Sequence, residues 1–188
     1  SGLGAAGVAT ARLLIEYGIK NIIFCDSKGV VHGGRTDLTP EKIELLSAST
    51  ADPKAGDLAD AVRGTTIFIG LSKGGVLTED MVKSMQPNPI IFALANPTPE
   101  IMPEQALGAG ALAVGTGRSD YPNQINNALV FPGLFKGMLE RGGQFDNSVF
   151  LTVAKALADH VDHPTAEYLI PSVFDKKVVD IVYKCVIG

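Results

Sequence analysis

Four apolar runs separated by helical stretches constrain this chain more than any other feature. They are NIIFCD (21–26), TTIFIGLS (65–72), PIIFALANP (89–97) and ALAVGT (111–116). The runs are continuous rather than alternating, as in strands buried on both faces. Helical patterns fall between them: residues 5–17 stopped by Gly18, a helix opened by Thr39-Pro40, short helices over 57–63 and after Thr78, and PEQALGAG. This βα rhythm predicts an α/β fold, a doubly wound parallel sheet with helices on both faces. Beyond Asn123 helix dominates, over roughly 123–141, 147–161 and 175–187, with a turn at 141–146. A length of 188 residues fits one domain, 1–188, with those C-terminal helices packed on it.

Composition narrows the partners. The net charge is −4 and there is no Lys/Arg-rich run, which argues against nucleic acid. No aliphatic run is long enough to cross a bilayer, and the start carries no secretory pattern, so a cytoplasmic protein is expected. Cys25 lies in an apolar run and Cys185 in a helical one; both read as small buried hydrophobes. His160 and His163 flank Asp162 near a helix end and read as solvated. No His/Cys spacing suggests a metal site built by these residues alone.

In such sheets ligands lie beyond the carboxyl ends of the strands. Here those ends are Asp26-Ser27, Leu71-Ser72, Ala95-Asn96 and Thr116-Gly117. The opening SGLGAAGV adds Gly2, Gly4 and Gly7 at G-x-G-x-x-G spacing, followed at once by a helical pattern. In a dinucleotide fingerprint the first glycine makes the turn, the second admits the pyrophosphate and the third lets helix and strand pack closely. Asp26 stands about twenty positions further on, at the end of the next apolar run, where the acid that binds the ribose is expected. The alternative is a Gly-rich turn in a flavodoxin-like fold. The fingerprint also calls for a strand before it, which is expected to be missing from this chain. An acid at Asp26 favours NAD, and a cation nearby reverses that preference. Lys28 is either such a cation or a solvated loop lysine.

Two further stretches stand out, FALANPTPEI (92–101) and GTGRSDYPNQINNALVFPG (115–133). Pro97 restricts Asn96 toward extended backbone, leaving its amide either to reach ligand or to cap the turn. Asn126 and Asn127 enter an apolar helical pattern. Consecutive helical positions diverge by about 100°, so the two address different partners, whether ligand or protein.

Taken together, GLGAAG, DSKGVV, FIGLS, FALANPTPEI, TGRSDYPNQINNALVFPG and IPSVFD resemble the C-terminal cofactor-binding domain of a malic enzyme of the short bacterial type. The paired asparagine-rich stretches are more specific than the glycine motif. The resemblance implies a Rossmann-type fold and a parent enzyme that oxidatively decarboxylates malate to pyruvate and carbon dioxide. It implies NAD or NADP and a Mg or Mn ion as cofactors. It sets Gly2, Gly4, Ala5, Ala6 and Gly7 around the pyrophosphate and Asp26 at the adenosine ribose. Ser27, Lys28 and Lys42 would lie near a 2′-phosphate. Ser72, Asn96 and Asn126 would touch cofactor, and Asn96 and Asn127 the substrate. The family's acid/base Tyr and Lys and its metal-holding carboxylates lie upstream of the glycine motif. The chain is therefore expected to begin inside the glycine-rich loop, to lack the catalytic and metal domain, and to be inactive alone. The parent is expected to be a homo-oligomer, a dimer. The alternatives are the cofactor domain of another hydroxy-acid or amino-acid dehydrogenase and a non-catalytic dinucleotide-sensing module.

Overall fold

The structure is a computed structural model of the 188-residue chain, and it describes residues 1–142 and 147–188. Most of the turn expected at 141–146 lies outside the described residues. The chain divides into two compact units, Ser1–Thr116 and Gly117–Gly188.

In the first unit, helix α1 spans Ala5–Tyr17. It ends where Gly18 takes the left-handed conformation, φ 108°, and the amides of Gly18 and Ile19 reach back to the carbonyls of Ile15 and Leu14. This closes the last turn on a residue that has no Cβ to strain. Strands β1 (Cys25–Asp26) and β2 (Gly29–Val30) follow as an antiparallel hairpin. Helix α2 (Pro40–Ala48) starts on a proline, whose ring pre-sets the first helical φ. Thr39 stands at its N-cap but makes no side-chain cap bond. Helix α3 (Leu58–Val62) opens with a reciprocal capping box between Asp57 and Asp60. Strand β3 (Ile67–Gly70), helix α4 (Glu79–Ser84), strand β4 (Ile90–Ala93), helix α5 (Pro103–Gly108) and strand β5 (Ala113–Thr116) complete the unit. The hydroxyl of Thr78 accepts from the Met81 amide and caps α4.

Strands β3, β4 and β5 form a parallel sheet in that order, with Ile67 opposite Ile90 and Ile90 opposite Ala113. Phe68, Val82, Ile91, Ala106 and Val114 share one apolar cluster built with α3, α4 and α5. Each large side chain buried there contributes about 1.5–3 kcal/mol. Leu3, Ala11, Phe24, Val31 and Leu45 make a second cluster with α1 and α2.

The run NIIFCD departs from its expected place. Only Cys25 and Asp26 are strand, and they pair with the antiparallel hairpin rather than with the parallel sheet. The physical reason is pairing. A strand needs a ladder partner, and Ile22 instead bonds the Ser49 hydroxyl, while the Phe24 carbonyl accepts from the Val31 amide. A cavity of about 590 Å³ lies between this run and β3.

The second unit is helical. After a 3-10 turn (Asn127–Leu129) come α6 (Phe131–Arg141), α7 (Asn147–Asp159) and α8 (Lys176–Ile187). The expected helix therefore starts later than residue 123. Asn123 adopts φ 55°; its amide nitrogen donates to the Ala166 carbonyl and its oxygen accepts from the Leu169 amide. Asparagine tolerates this left-handed backbone better than most residues, and here it ties two loops together. Val149, Val153 and Leu157 on α7 and Val178, Val182 and Val186 on α8 repeat every four residues, so each set lies on one helix face in the core of the unit. Cys185 is half-buried against that core, and Cys25 is buried in the first unit. His160 is not simply solvated: its Nε2 lies 2.8 Å from Asp175, the N-cap of α8. Among the described residues no helix is long and apolar enough to cross a membrane.

Candidate functional site

The three motif glycines stand in different surroundings. Gly2 takes φ 86°, and a Cβ there would strike the carbonyl of Leu71. A Cβ on Gly7 would strike the carbonyl of Gly2, so this pair of glycines lets the loop close on the sheet and on itself. Around Gly4 there is nothing within 4 Å of an added Cβ. Gly4 is the N-cap of α1 and has no side chain to cap it. The first amides of a helix have no intrahelical acceptor, which leaves those of Ala5, Ala6 and Gly7 without one beside the open position at Gly4. A helix N-terminus of this kind attracts phosphate. The residues present therefore fit a pyrophosphate.

Ser1–Leu3 lies at the sheet's carboxyl edge. The Ser1 amine donates to the Ile69 carbonyl at 2.7 Å, the Leu71 amide donates to the Ser1 carbonyl, and the amides of Gly2 and Leu3 donate to the Cys25 carbonyl. This is how the loop comes to sit beside Asp26 and Ser72.

Asp26 ends β1 with its carboxylate fully engaged. Oδ1 accepts from Arg35 Nη1 at 2.8 Å and from the Lys28 amide at 2.9 Å. Oδ2 accepts from Arg35 Nη2 at 3.1 Å and from Lys42 Nζ. Burial pushes this carboxyl up, but the bonds from Arg35, Lys42 and the Lys28 amide outweigh it and hold the group well below the usual carboxylate range. Arg35 also forks to Asp37, and Lys28 Nζ donates to the same carboxylate at 2.6 Å. The hydrogen bonds from Arg35 and Lys28 hold Asp37 well below its ordinary value too. Five charges, three positive and two negative, thus form one network around the acid. Ser27 sits exposed in the hairpin turn. Arg35 was not singled out in the sequence. Its only signal is a lone arginine in a Gly-rich loop nine positions after the acid.

A second residue that sequence reasoning missed is Glu100. It is fully buried. Oε1 accepts from the Ser72 amide (2.8 Å) and the Ser72 hydroxyl (3.0 Å), and Oε2 from the Ala95 amide (3.0 Å). One carboxylate therefore binds together the segments that follow β3 and β4, the latter just before Asn96. The signal was available: an acid set between Pro99 and Ile101 directly after a buried strand. Asn96 itself is exposed, and the Asn96–Pro97 peptide is cis.

In the second unit, Asn126 caps the 3-10 turn, its oxygen accepting from the Ala128 amide at 2.9 Å. Asn127 is the first residue of that turn and is exposed. Upstream, Arg118 makes two bonds to Asp120 and lies 5.4 Å from the centre of the Tyr121 ring. Among the described residues no group of three or more His, Cys, Asp or Glu is placed to hold a metal ion.

A parallel α/β unit with an open phosphate-binding loop and a charged cluster at the strand end defines a dinucleotide-binding domain. Residues 4–187 match the family described as malic enzyme, NAD binding domain, and the chain belongs to that family. It is 47% identical over 190 residues to a bifunctional malic/malolactic enzyme of Bacillus subtilis, covering 99% of this chain and 46% of that protein. It is 43% identical over 201 residues to an NADP-dependent malic enzyme of Haemophilus influenzae, covering 95% and 26%. Among solved structures, it superposes on an NAD-dependent malic enzyme of Thermotoga maritima with a TM-score of 0.92 at 41% identity, covering all of this chain and 50% of that one. The chain thus spans half or less of the length of these proteins. The family assignment supports the malic-enzyme reading over other hydroxy-acid and amino-acid dehydrogenases.

Proposed function

We propose that this chain is the cofactor seat and part of the substrate pocket of an enzyme that oxidises and decarboxylates malate to pyruvate and carbon dioxide. The observation that carries this is the loop Gly2–Gly7: closed against backbone at its two ends and open at Gly4, on the first amides of α1. The amides of Ala5, Ala6 and Gly7 hold the pyrophosphate. The Asp26 network faces the adenosine ribose, with Ser27, Lys28 and Lys42 beside it. Ser72, held by Glu100, and Asn126 contact the cofactor. Asn96 and Asn127 supply amides to the substrate carboxylate and to the cofactor amide. A nicotinamide cofactor bound there would supply the hydride acceptor for malate oxidation. The residues described here do not form a metal cage. In this reading the Mg or Mn ligands and the acid/base groups come from other parts of a longer cytoplasmic, dimeric protein, and both compact units serve one cofactor-binding domain.

Titration of the chain with NAD and with NADP, followed by calorimetry, tests the seat. Both are expected to bind, and no binding of either would overturn the reading. Lys28→Ala and Lys42→Ala are expected to weaken NADP more than NAD; equal effects would remove these lysines from cofactor choice. In the full-length protein, Asn127→Ala is expected to lower kcat/KM for malate by about tenfold to a hundredfold, the loss of a hydrogen bond to a charged group of roughly 1.5–3 kcal/mol. Unchanged malate kinetics would leave Asn127 with a local structural role only.

A further inference from the structure

Residues 117–126 lead into the 3-10 turn without forming a helix or a strand. The stretch ends on Asn126 and Asn127, so whatever holds it also sets where those two amides stand. The bonds of Arg118 to Asp120 and of Ala128 to Asn126 join residues only two apart. Bonds that local do not fix a segment against the rest of the unit. Asn123 reaches much further: its carboxamide meets residues 43 and 46 positions away.

The contact is two-sided. Asn123 Nδ2 donates to the Ala166 carbonyl at 2.8 Å, and Oδ1 accepts from the Leu169 amide at 2.7 Å. A carbonyl only accepts and a backbone amide only donates, so these partners admit one orientation of the side chain. Asn123 is 6% exposed, so water is poorly placed to replace either bond. The left-handed backbone there, φ 55°, favours asparagine, aspartate or glycine. The receiving turn is itself closed, since Thr165 and Tyr168 exchange two backbone bonds. Just beyond it, Ile170 and Val173 pack on the apolar core of the unit. The turn is therefore a fixed base. On the other side of the asparagine pair, Leu129 is buried in the same core and its amide donates to the Asn126 carbonyl. Asn126 and the exposed Asn127 thus lie between two anchors, Asn123 and Leu129.

We propose that Asn123 is a positioning residue for malate: bonded to the turn 165–169, it holds the approach to Asn127 so that this amide meets the substrate carboxylate. The proposal rests on the reading of Asn127 given above. What Asn123 contributes is geometry. A misplacement of about 1 Å at a reacting centre costs on the order of a hundredfold in rate. Dinucleotide affinity rests chiefly on the amides beside Gly4, so it is expected to change little.

The test is malate kinetics in the full-length protein for Asn123→Gly, Asn123→Asp, Asn127→Ala and the double variant Asn123→Gly, Asn127→Ala. Glycine accepts the left-handed backbone and removes both bonds. For Asn123→Gly, kcat/KM for malate is expected to fall about tenfold or more, with the Kd for cofactor, by calorimetry, within about twofold. Added to Asn127→Ala, it is expected to cost less than about twofold, because it acts through that amide. In Asn123→Asp an ionised carboxylate has no proton to offer Ala166, whereas the protonated form regains one donor and one acceptor. Burial raises a carboxyl group toward neutrality. The activity of Asn123→Asp relative to the unsubstituted protein is therefore expected to climb as pH falls from about 8 to about 5, while that of Asn123→Gly stays flat. If Asn127→Ala lowers kcat/KM and folded Asn123→Gly does not, the proposal falls and the substrate reading stands. An additive double variant, or no recovery of Asn123→Asp at low pH, leaves Asn123 a structural tie only and overturns the proposal. Unchanged kinetics in Asn127→Ala overturn both. Where circular dichroism shows Asn123→Gly unfolded, the pH series of Asn123→Asp decides.

Discussion

An added methyl group at Gly2 or Gly7 meets backbone, the carbonyls of Leu71 and Gly2. At Gly137 it meets the side chain of Val186, and at Gly133 it meets the backbone of α8 at the Val179 carbonyl and the Tyr183 amide together with the Val182 Cβ. The first pair belongs to the sheet unit and the second to the helical unit, where α6 and α8 approach closely along those two positions. The same residue type thus solves two problems. In the sheet unit glycine brings loop main chain against loop and sheet main chain. In the helical unit it brings helix against helix, and the gain is apolar packing. Two packed helices can relieve such a contact by a slight shift along or away from each other, but a loop held between sheet and helix has less room to give. Intolerance to substitution is therefore expected to be sharper in the loop than between the helices.

Gly7→Val should give the largest effect. Cofactor affinity is expected to fall about a hundredfold or more, because the loop cannot close and the first amides of α1 lose their aim. Gly4→Ala is the control: the position has room, so Tm should change little while affinity falls. If Gly7→Val bound cofactor normally by calorimetry, the distinction between closed and open glycines would be broken.

Glu100→Gln comes next. An amide side chain has one acceptor oxygen where the carboxylate has two, so the donors at Ser72 and Ala95 cannot all be satisfied. Hydrogen bonds to a charged group are worth roughly 1.5–3 kcal/mol, and a loss of about 2 kcal/mol is expected by urea denaturation. An unchanged denaturation midpoint would show that these segments hold their places without the carboxylate.

Gly137→Ala sharpens the helical side of the comparison. Overpacking against Val186 costs about 1–3 kcal/mol, partly offset by about 1 kcal/mol of improved helix propensity. A net loss of about 1 kcal/mol is expected from denaturation of the chain. A stabilised variant would mean that α8 yields easily and that close approach is not what this glycine provides.

The smallest effect concerns acid. The Asp26 carboxyl is held low in the folded chain. The stability it contributes is complete above its unfolded value, near pH 4, and is lost as pH falls from there toward the folded value. Asp26→Asn should lower stability at neutral pH and flatten this acid limb. An identical pH profile in the variant would show that Arg35 and Lys42 are held by other partners.

Much of the fold was legible in the residues because its signals are local. The apolar runs at 65–72, 89–97 and 111–116 became β3, β4 and β5, and Gly18, Pro40 and Thr78 mark helix ends where backbone chemistry requires them. The glycine loop was legible for the same reason, since each glycine answers a steric demand set within a few residues or by the strand that the loop must meet. What the amino-acid sequence could not decide was pairing at a distance. Nothing in NIIFCD says that only its last two residues become strand, because a strand is defined by its neighbour. Nothing near Asp26 says that Arg35 and Lys42 converge on it, and nothing near Ser72 says that Glu100 lies beneath it. Those contacts depend on loops and helices folding back across the sheet edge. Charge type is written in the sequence, but the distance and burial that turn charges into a network exist only once the chain has folded.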